Sequence, residues 1–184
     1  MIIIASTRPG RAGMPIGAWF AEQAERRGGF EVDLVDLAEL NLPMMDEPNH
    51  PRLHQYTHQH TKEWSARVEA ADAFVFVTAE YNHSYPAPLK NAIDYLSREW
   101  QYKPAGFVSY GGIAGGTRAV QALKPVLDIL KMTALTDAVV IPLFQQYLDD
   151  EERFCPSEQV DSAARTMLDS IARWAPALAT LRPA

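Results

Sequence analysis

The chain has little that would crosslink, anchor or strongly charge it. Cys155 is the only cysteine in 184 residues, so no intramolecular disulfide forms and a reducing compartment suits the chain. No apolar run approaches the roughly 20 residues that a bilayer-spanning helix needs. No basic cluster precedes Ile2-Ile3-Ile4, so the first residues read as structure rather than as a secretion signal. Lys and Arg number 17 against 23 Asp and Glu, which argues against nucleic-acid and membrane-surface partners. Two familiar phosphate fingerprints, G-x-G-x-x-G and G-x-x-x-x-G-K-[ST], do not occur. What is left is a single cytoplasmic domain over 1–184, long enough to bury a substantial core.

What is present alternates between strand and helix signals. Ile2–Ala5 is a short apolar run, and Pro15–Arg27 carries Ile16, Trp19, Phe20 and Ala24 at helical spacing before Gly28-Gly29 stops it. Phe30, Val32 and Leu34 alternate with Glu31 and Asp33, predicting a strand to about Leu37. A loop over 40–51 precedes a polar helix predicted across Leu53–Ala71. Ala73–Ala79 is apolar on both faces, as a central parallel strand is. A helix with Leu89, Ala92, Ile93 and Leu96 follows, then a strand at Gly106–Tyr110 and a helix with Val120, Leu123, Leu127 and Leu130. Asp137–Leu143 supplies the last strand. Val160, Ala163, Met167, Ile171, Trp174 and Leu178 stripe a long final helix. Five such alternations predict a parallel three-layer α/β sandwich, with the five strands in the flavodoxin-like order 2-1-3-4-5.

In that order ligands bind at the carboxyl ends of the strands, where the first, third and fourth strands deliver their loops. Those three loops have unusual compositions. Ser6-Thr7-Arg8-Pro9-Gly10-Arg11-Ala12-Gly13 puts hydroxyls, glycines and arginines at a strand-to-helix turn, where helix N–H groups and the dipole favour an anion such as phosphate. Arg8 suits bidentate contact with a phosphate, and Arg11 adds charge. Glu80-Tyr81-Asn82-His83-Ser84-Tyr85-Pro86 is polar and aromatic, fit for the edge and face of a planar heterocycle. Ser109-Tyr110-Gly111-Gly112-Ile113-Ala114-Gly115-Gly116 holds four of the ten glycines, which lets a flat ligand lie against bare backbone.

"STRPGR", "EYNHSYPAPLKNAIDYL" and "SYGGIAGGTRA" resemble the NADPH-dependent FMN reductase family, whose members include flavin, quinone and azo-dye reductases. The resemblance implies FMN, with NADPH or NADH as co-substrate. It places Ser6, Arg8 and the helix start at Met14–Ile16 around the phosphate, and Glu80, Tyr81, Asn82, Ser109, Tyr110, Gly111 and Gly112 around the flavin. It implies hydride transfer to the flavin N5, then two-electron reduction of a quinone, azo compound or free flavin, in ping-pong order. No side chain is then required as a catalytic acid or base. A flavodoxin-type electron carrier and a non-catalytic flavin-binding regulatory module are the alternatives. The resemblance also implies a homodimer or homotetramer, to which Trp100 and Tyr102 are candidates to contribute. Two departures stand out: Ala79 where the family usually has proline, and a short first strand ending in Ala5 rather than glycine.

Remaining motifs point nowhere firm. His54 and His58 would share one helical face, but no cysteine or spaced carboxylate completes a metal site, so no metal is expected. His83 lies within the second loop, near where a substrate would sit. Cys155 has only Arg153 as a cationic neighbour.

Overall fold

A computed structural model describes residues 1–182. Strands β1 (Ile2–Ile4), β2 (Leu34–Asp36), β3 (Phe74–Ala79), β4 (Pro104–Tyr110), β5 (Thr133–Ala134) and β6 (Val139–Ile141) form one parallel sheet. The order is β2-β1-β3-β4-β5, and β6 also pairs with β4. The expected five-place order is therefore present, with its fifth place divided. β5 pairs with Pro104–Ala105 and β6 with Val108–Tyr110, so two short strands share one long neighbour.

Helices α1 (Gly13–Arg27) and α6 (Glu158–Ala179) cover one face; α3 (Gln59–Ala70), α4 (Ala87–Asp94) and α5 (Thr117–Ile129) cover the other. A single turn, α2 (Leu37–Leu40), follows β2. Alternation of side chains along β3 feeds both cores, with Val75 and Val77 toward α1 and α6 and Phe74 and Phe76 toward α3, α4 and α5. α1 rides close on β1: a Cβ on Gly17 would lie 2.8 Å from the Ile4 side chain. Trp100 belongs to the second core, edge-on to Trp64 and 4.8 Å in ring centroid from Phe74, so it packs inside and offers nothing to another subunit. Along α6 the buried stripe runs through Ala164 and Leu168, whereas Trp174 is largely exposed.

Two elements depart from expectation. Residues 30–33 alternate like a strand but lie outside the sheet ladder, because β1 meets β2 only from Ile2↔Leu34 onward and of the four only the Asp33 carbonyl bonds β1, accepting from the Ile2 N–H at 2.7 Å. The predicted helix over Leu53–Ala71 forms only from Gln59. Pro51–Leu53 make a 3-10 turn, and His54 takes a left-handed conformation with φ 52°. That separates His54 from His58 and dissolves their helical pairing. His58 instead stacks on His60 with ring centroids 5.2 Å apart, and among the described residues no three His, Cys, Asp or Glu side chains gather to hold a metal.

Candidate active site

β1, β3 and β4 are hydrogen-bonded neighbours, so the loops leaving their carboxyl ends meet at one edge. The first loop turns at Pro9-Gly10, with Gly10 at φ 68°, and enters α1 at Gly13. No side chain caps α1. Pro15 has no N–H, and the Ile16 N–H is taken by the Ala12 carbonyl at 3.2 Å. Gly13 and Met14 therefore carry the orphan N–H groups of the first turn.

The two arginines of this loop have separate fates. Arg11 pairs with Asp36 at the end of β2; that carboxylate is buried, and its other oxygen accepts from the Ala38 N–H at 2.9 Å, which caps α2. Arg8 is exposed and makes no ion pair among the described residues. Of the pair, Arg8 is the free cation. Met14 is half-buried, and the Ile16 side chain lies in the core, so α1 can offer a ligand its backbone and not that side chain.

The second loop is a tight hairpin. Tyr81 and Ser84 exchange both backbone hydrogen bonds at 2.8 and 3.0 Å, while Asn82 and His83 take φ of 50° and 67°. Positive φ at both central residues defines a type I′ turn, for which asparagine is well suited. The turn exposes Asn82 and His83 at its tip and lays Tyr81 over the first loop, where its phenol shares a hydrogen bond with the buried Ser6 hydroxyl.

Beneath that contact lies Tyr110, the last residue of β4. Its hydroxyl is buried with no hydrogen-bond partner, at a position where a Cβ on Gly13 would approach within 2.8 Å. Burial pushes this phenol well above its ordinary pKa, and the neighbouring Tyr81 pushes the same way. It stays protonated beside the amino end of α1, near the Ser6 hydroxyl but in no completed hydrogen bond among the described residues. Only glycine fits opposite it.

The third loop is fixed by strain that glycine alone relieves. Gly116 sits at φ 82°, and a Cβ there would lie 2.8 Å from the Tyr110 backbone N. The Gly112 carbonyl accepts from Gly115 and Leu143, and the Gly111 N–H donates to Ile141 at 3.2 Å. A Cβ on Gly112 would meet nothing within 4 Å, so its surface is open. The Ser109 hydroxyl is buried and unpartnered among the described residues, and the Ser109 Cβ would lie 2.9 Å from a Cβ on Gly116.

Glu80 joins the second loop to the third. It accepts from the Arg118 backbone at 3.2 Å and from its guanidinium. Burial alone would raise its carboxyl; the bonds from Arg118 more than offset that and hold it below the usual range. Sequence reading missed Arg118, whose signal was only its place two residues after the glycine run. Asp36 was missed too, and local sequence gives no sign that it neutralises Arg11.

Ser6, Tyr81 and Tyr110 thus form one cluster, and Glu80 and Arg118 a second beside Gly111, where an added Cβ would lie 3.7 Å from that of Glu80. Arg8, Asn82 and Gly112 face solvent around them. A family model described as NADPH-dependent FMN reductase matches residues 1–146. The chain belongs to that family. FMN and NAD(P)H are its cofactor and co-substrate, and the chain stands among the flavin-dependent NAD(P)H oxidoreductases. An NAD(P)H-dependent FMN reductase of Schizosaccharomyces pombe is 46% identical over 134 residues, covering 72% of this chain but 66% of the relative. One of Saccharomyces cerevisiae is 38% identical over 154 residues, covering 77% of this chain and 80% of the relative. The flavoenzyme NAD(P)H:(acceptor) oxidoreductase FerB of Paracoccus denitrificans shares the fold, with a TM-score of 0.71 at 22% identity and 95% of each chain covered. No helix of the described residues is long and apolar enough to cross a membrane.

Proposed function

We propose that the chain binds FMN across the carboxyl edge of β1, β3 and β4 and passes two electrons from NAD(P)H to a quinone, an azo compound or free flavin, in two alternating half-reactions. The observation that carries this reading is the buried Tyr110 hydroxyl at the amino end of α1, which completes no hydrogen bond among the described residues even with the Ser6 hydroxyl beside it.

When bound, FMN supplies the centre that accepts and releases hydride. The residues supply the rest. Gly13 and Met14 N–H groups, the Ser6 hydroxyl and the free Arg8 guanidinium suit the phosphate. Tyr110 adds a neutral donor. Asn82 and the Gly111-Gly112 backbone, open at Gly112, suit the polar edge of the ring, and Tyr81 its face. Arg118 keeps the Glu80 charge occupied beside that edge, so it does not oppose negative charge on a reduced ring. No general acid or base is required of a side chain.

We place the protein in the cytoplasm, a reading supported by its single, exposed cysteine, and as a homodimer or homotetramer, as is usual in the family. The test is an anaerobic titration of the FMN-loaded protein with NADPH and then NADH. One-step bleaching restored by a quinone supports the reading. Failure to retain FMN overturns it, and bound FMN that neither nicotinamide reduces points to a carrier or regulatory module.

A further inference from the structure

Pro43 to Glu47 belongs to none of the three loops, yet side chains of α4 and its neighbours tether it at several points. The Asn91 side chain on α4 grips it on both sides of Met44. Its amide donates to the Pro43 carbonyl at 2.7 Å, and its oxygen accepts from the Met45 N–H at 3.0 Å. The Tyr95 hydroxyl shares its one hydrogen between the Pro43 carbonyl and the Asp46 carboxylate. His60 bonds Asp46 from the far side, and Glu47 accepts from Thr57 and from the His58 N–H.

So firm a clamp ends in an unusual exposure. Met44 is 76% accessible and Met45 37%, although methionine is costly to leave in water and easily buried. The exposed Met44 lines a cavity of about 360 Å³ together with Leu37, Leu40, Leu42, Ala92, Thr7 and Pro88. Thr7 belongs to the first site loop, and Pro88 follows the second. The cavity therefore opens at the same sheet edge as the candidate flavin site, at the crevice where the strand order reverses between β1 and β3. Its volume suits one or two fused rings. None of its lining side chains is charged; Thr7, Asn41 and Asn91 are the polar ones.

We propose that this cavity takes the electron acceptor, that Met44 is its specificity-determining wall, and that Asn91 is the positioning residue that holds Met44 there. The lining selects an uncharged, flat, apolar acceptor such as a quinone over an anionic one such as free FMN. The proposal rests on the reductase reading above, but equilibrium binding separates the two.

Menadione is titrated calorimetrically into the oxidised FMN-loaded protein, or into the protein as purified if it holds no flavin, without nicotinamide. Met44→Ser weakens menadione binding about tenfold. Asn91→Leu, which removes both grips, weakens it similarly, and Asn91→Asp, which keeps the bond to Met45, recovers part of the loss. Ile129→Ser, an exposed apolar change on α5, leaves it unaltered. In turnover, Met44→Ser raises KM for menadione with kcat within twofold. An unchanged dissociation constant in both Met44→Ser and Asn91→Leu overturns the assignment, whatever the flavin does. Loss of menadione affinity in a protein whose flavin is not bleached by NAD(P)H sustains the pocket while sinking the reductase reading.

Discussion

Arg118, the second residue of α5, donates from both its backbone and its guanidinium to Glu80 at the end of β3, so one ion pair fastens the second site loop to the third. The Glu80 side chain is almost covered, while half of Arg118 faces water. Glu80 has its carboxyl held below the ordinary range in the fold, because the bonds from Arg118 outweigh the burial that would raise it. Its contribution is therefore full above the unfolded carboxyl range and is lost as pH falls through the folded value. Arg118→Ala should cost about 1 kcal/mol at pH 7, a value discounted for the exposed arginine. Urea midpoints of parent and variant should draw together as pH falls below the unfolded glutamate value and on through the lower folded one. A gap that stays constant with pH would show that the pair is decorative.

A buried hydroxyl with no partner is a cost in the free protein and an asset in the complex. Tyr110→Phe removes that cost, so the flavin-free protein should gain about 1 kcal/mol. FMN affinity should fall by about tenfold, one hydrogen bond's worth. Stability and affinity then move in opposite directions, which a purely structural tyrosine cannot produce. Thermal unfolding without flavin and fluorescence titration with it give the two signs. Loss of stability in the free protein would refute the assignment.

The order of the sheet and the convergence of its loops were legible in the sequence because both follow from the alternation of apolar runs with helical stripes. Each miss turns on a partner remote in the chain, present or lacking. Phe30 and Val32 alternate as a strand does, but a strand needs a neighbour, and β1 pairs no further back than Leu34. His58 lacks a cap of its own; its N–H is bound by Glu47, eleven residues upstream, so α3 begins where no local signal marks it. Burial would raise the Glu47 carboxyl, but hydrogen bonds from Thr57, then Thr61 and His58, hold it down to about 2. Within the site, residue types were readable and their pairings were not. "STRPGR" offers two arginines to an anion, and only the fold shows one of them already committed to Asp36.

That division gives a paired test. Arg8→Ala removes an exposed cation that makes no ion pair, so stability should change by less than about 0.5 kcal/mol. Its effect should fall on the phosphate: the preference for FMN over riboflavin should shrink by about tenfold or more. Arg11→Ala instead strands the buried Asp36 carboxylate, and should destabilise the protein by about 3 kcal/mol. Affinities for FMN and riboflavin, set beside denaturant midpoints, separate the two roles. Equal loss of riboflavin and FMN binding in Arg8→Ala would remove Arg8 from the phosphate site.

Gly112 and Gly116 stand four residues apart in one loop and should fail differently. At Gly116 the left-handed backbone and the contact with Tyr110 leave no room for a methyl group, so Gly116→Ala should destabilise by about 2 kcal/mol or more. At Gly112 an added methyl meets nothing in the free protein, and its φ is ordinary, so Gly112→Ala should fold with an unchanged midpoint. If the ring lies against this stretch of backbone, the same methyl stands between them, and FMN binding should weaken by an order of magnitude. A Gly112→Ala protein that binds FMN as tightly as the parent would move the flavin off this loop. The contrast therefore tests the site with a variant whose fold is not in question.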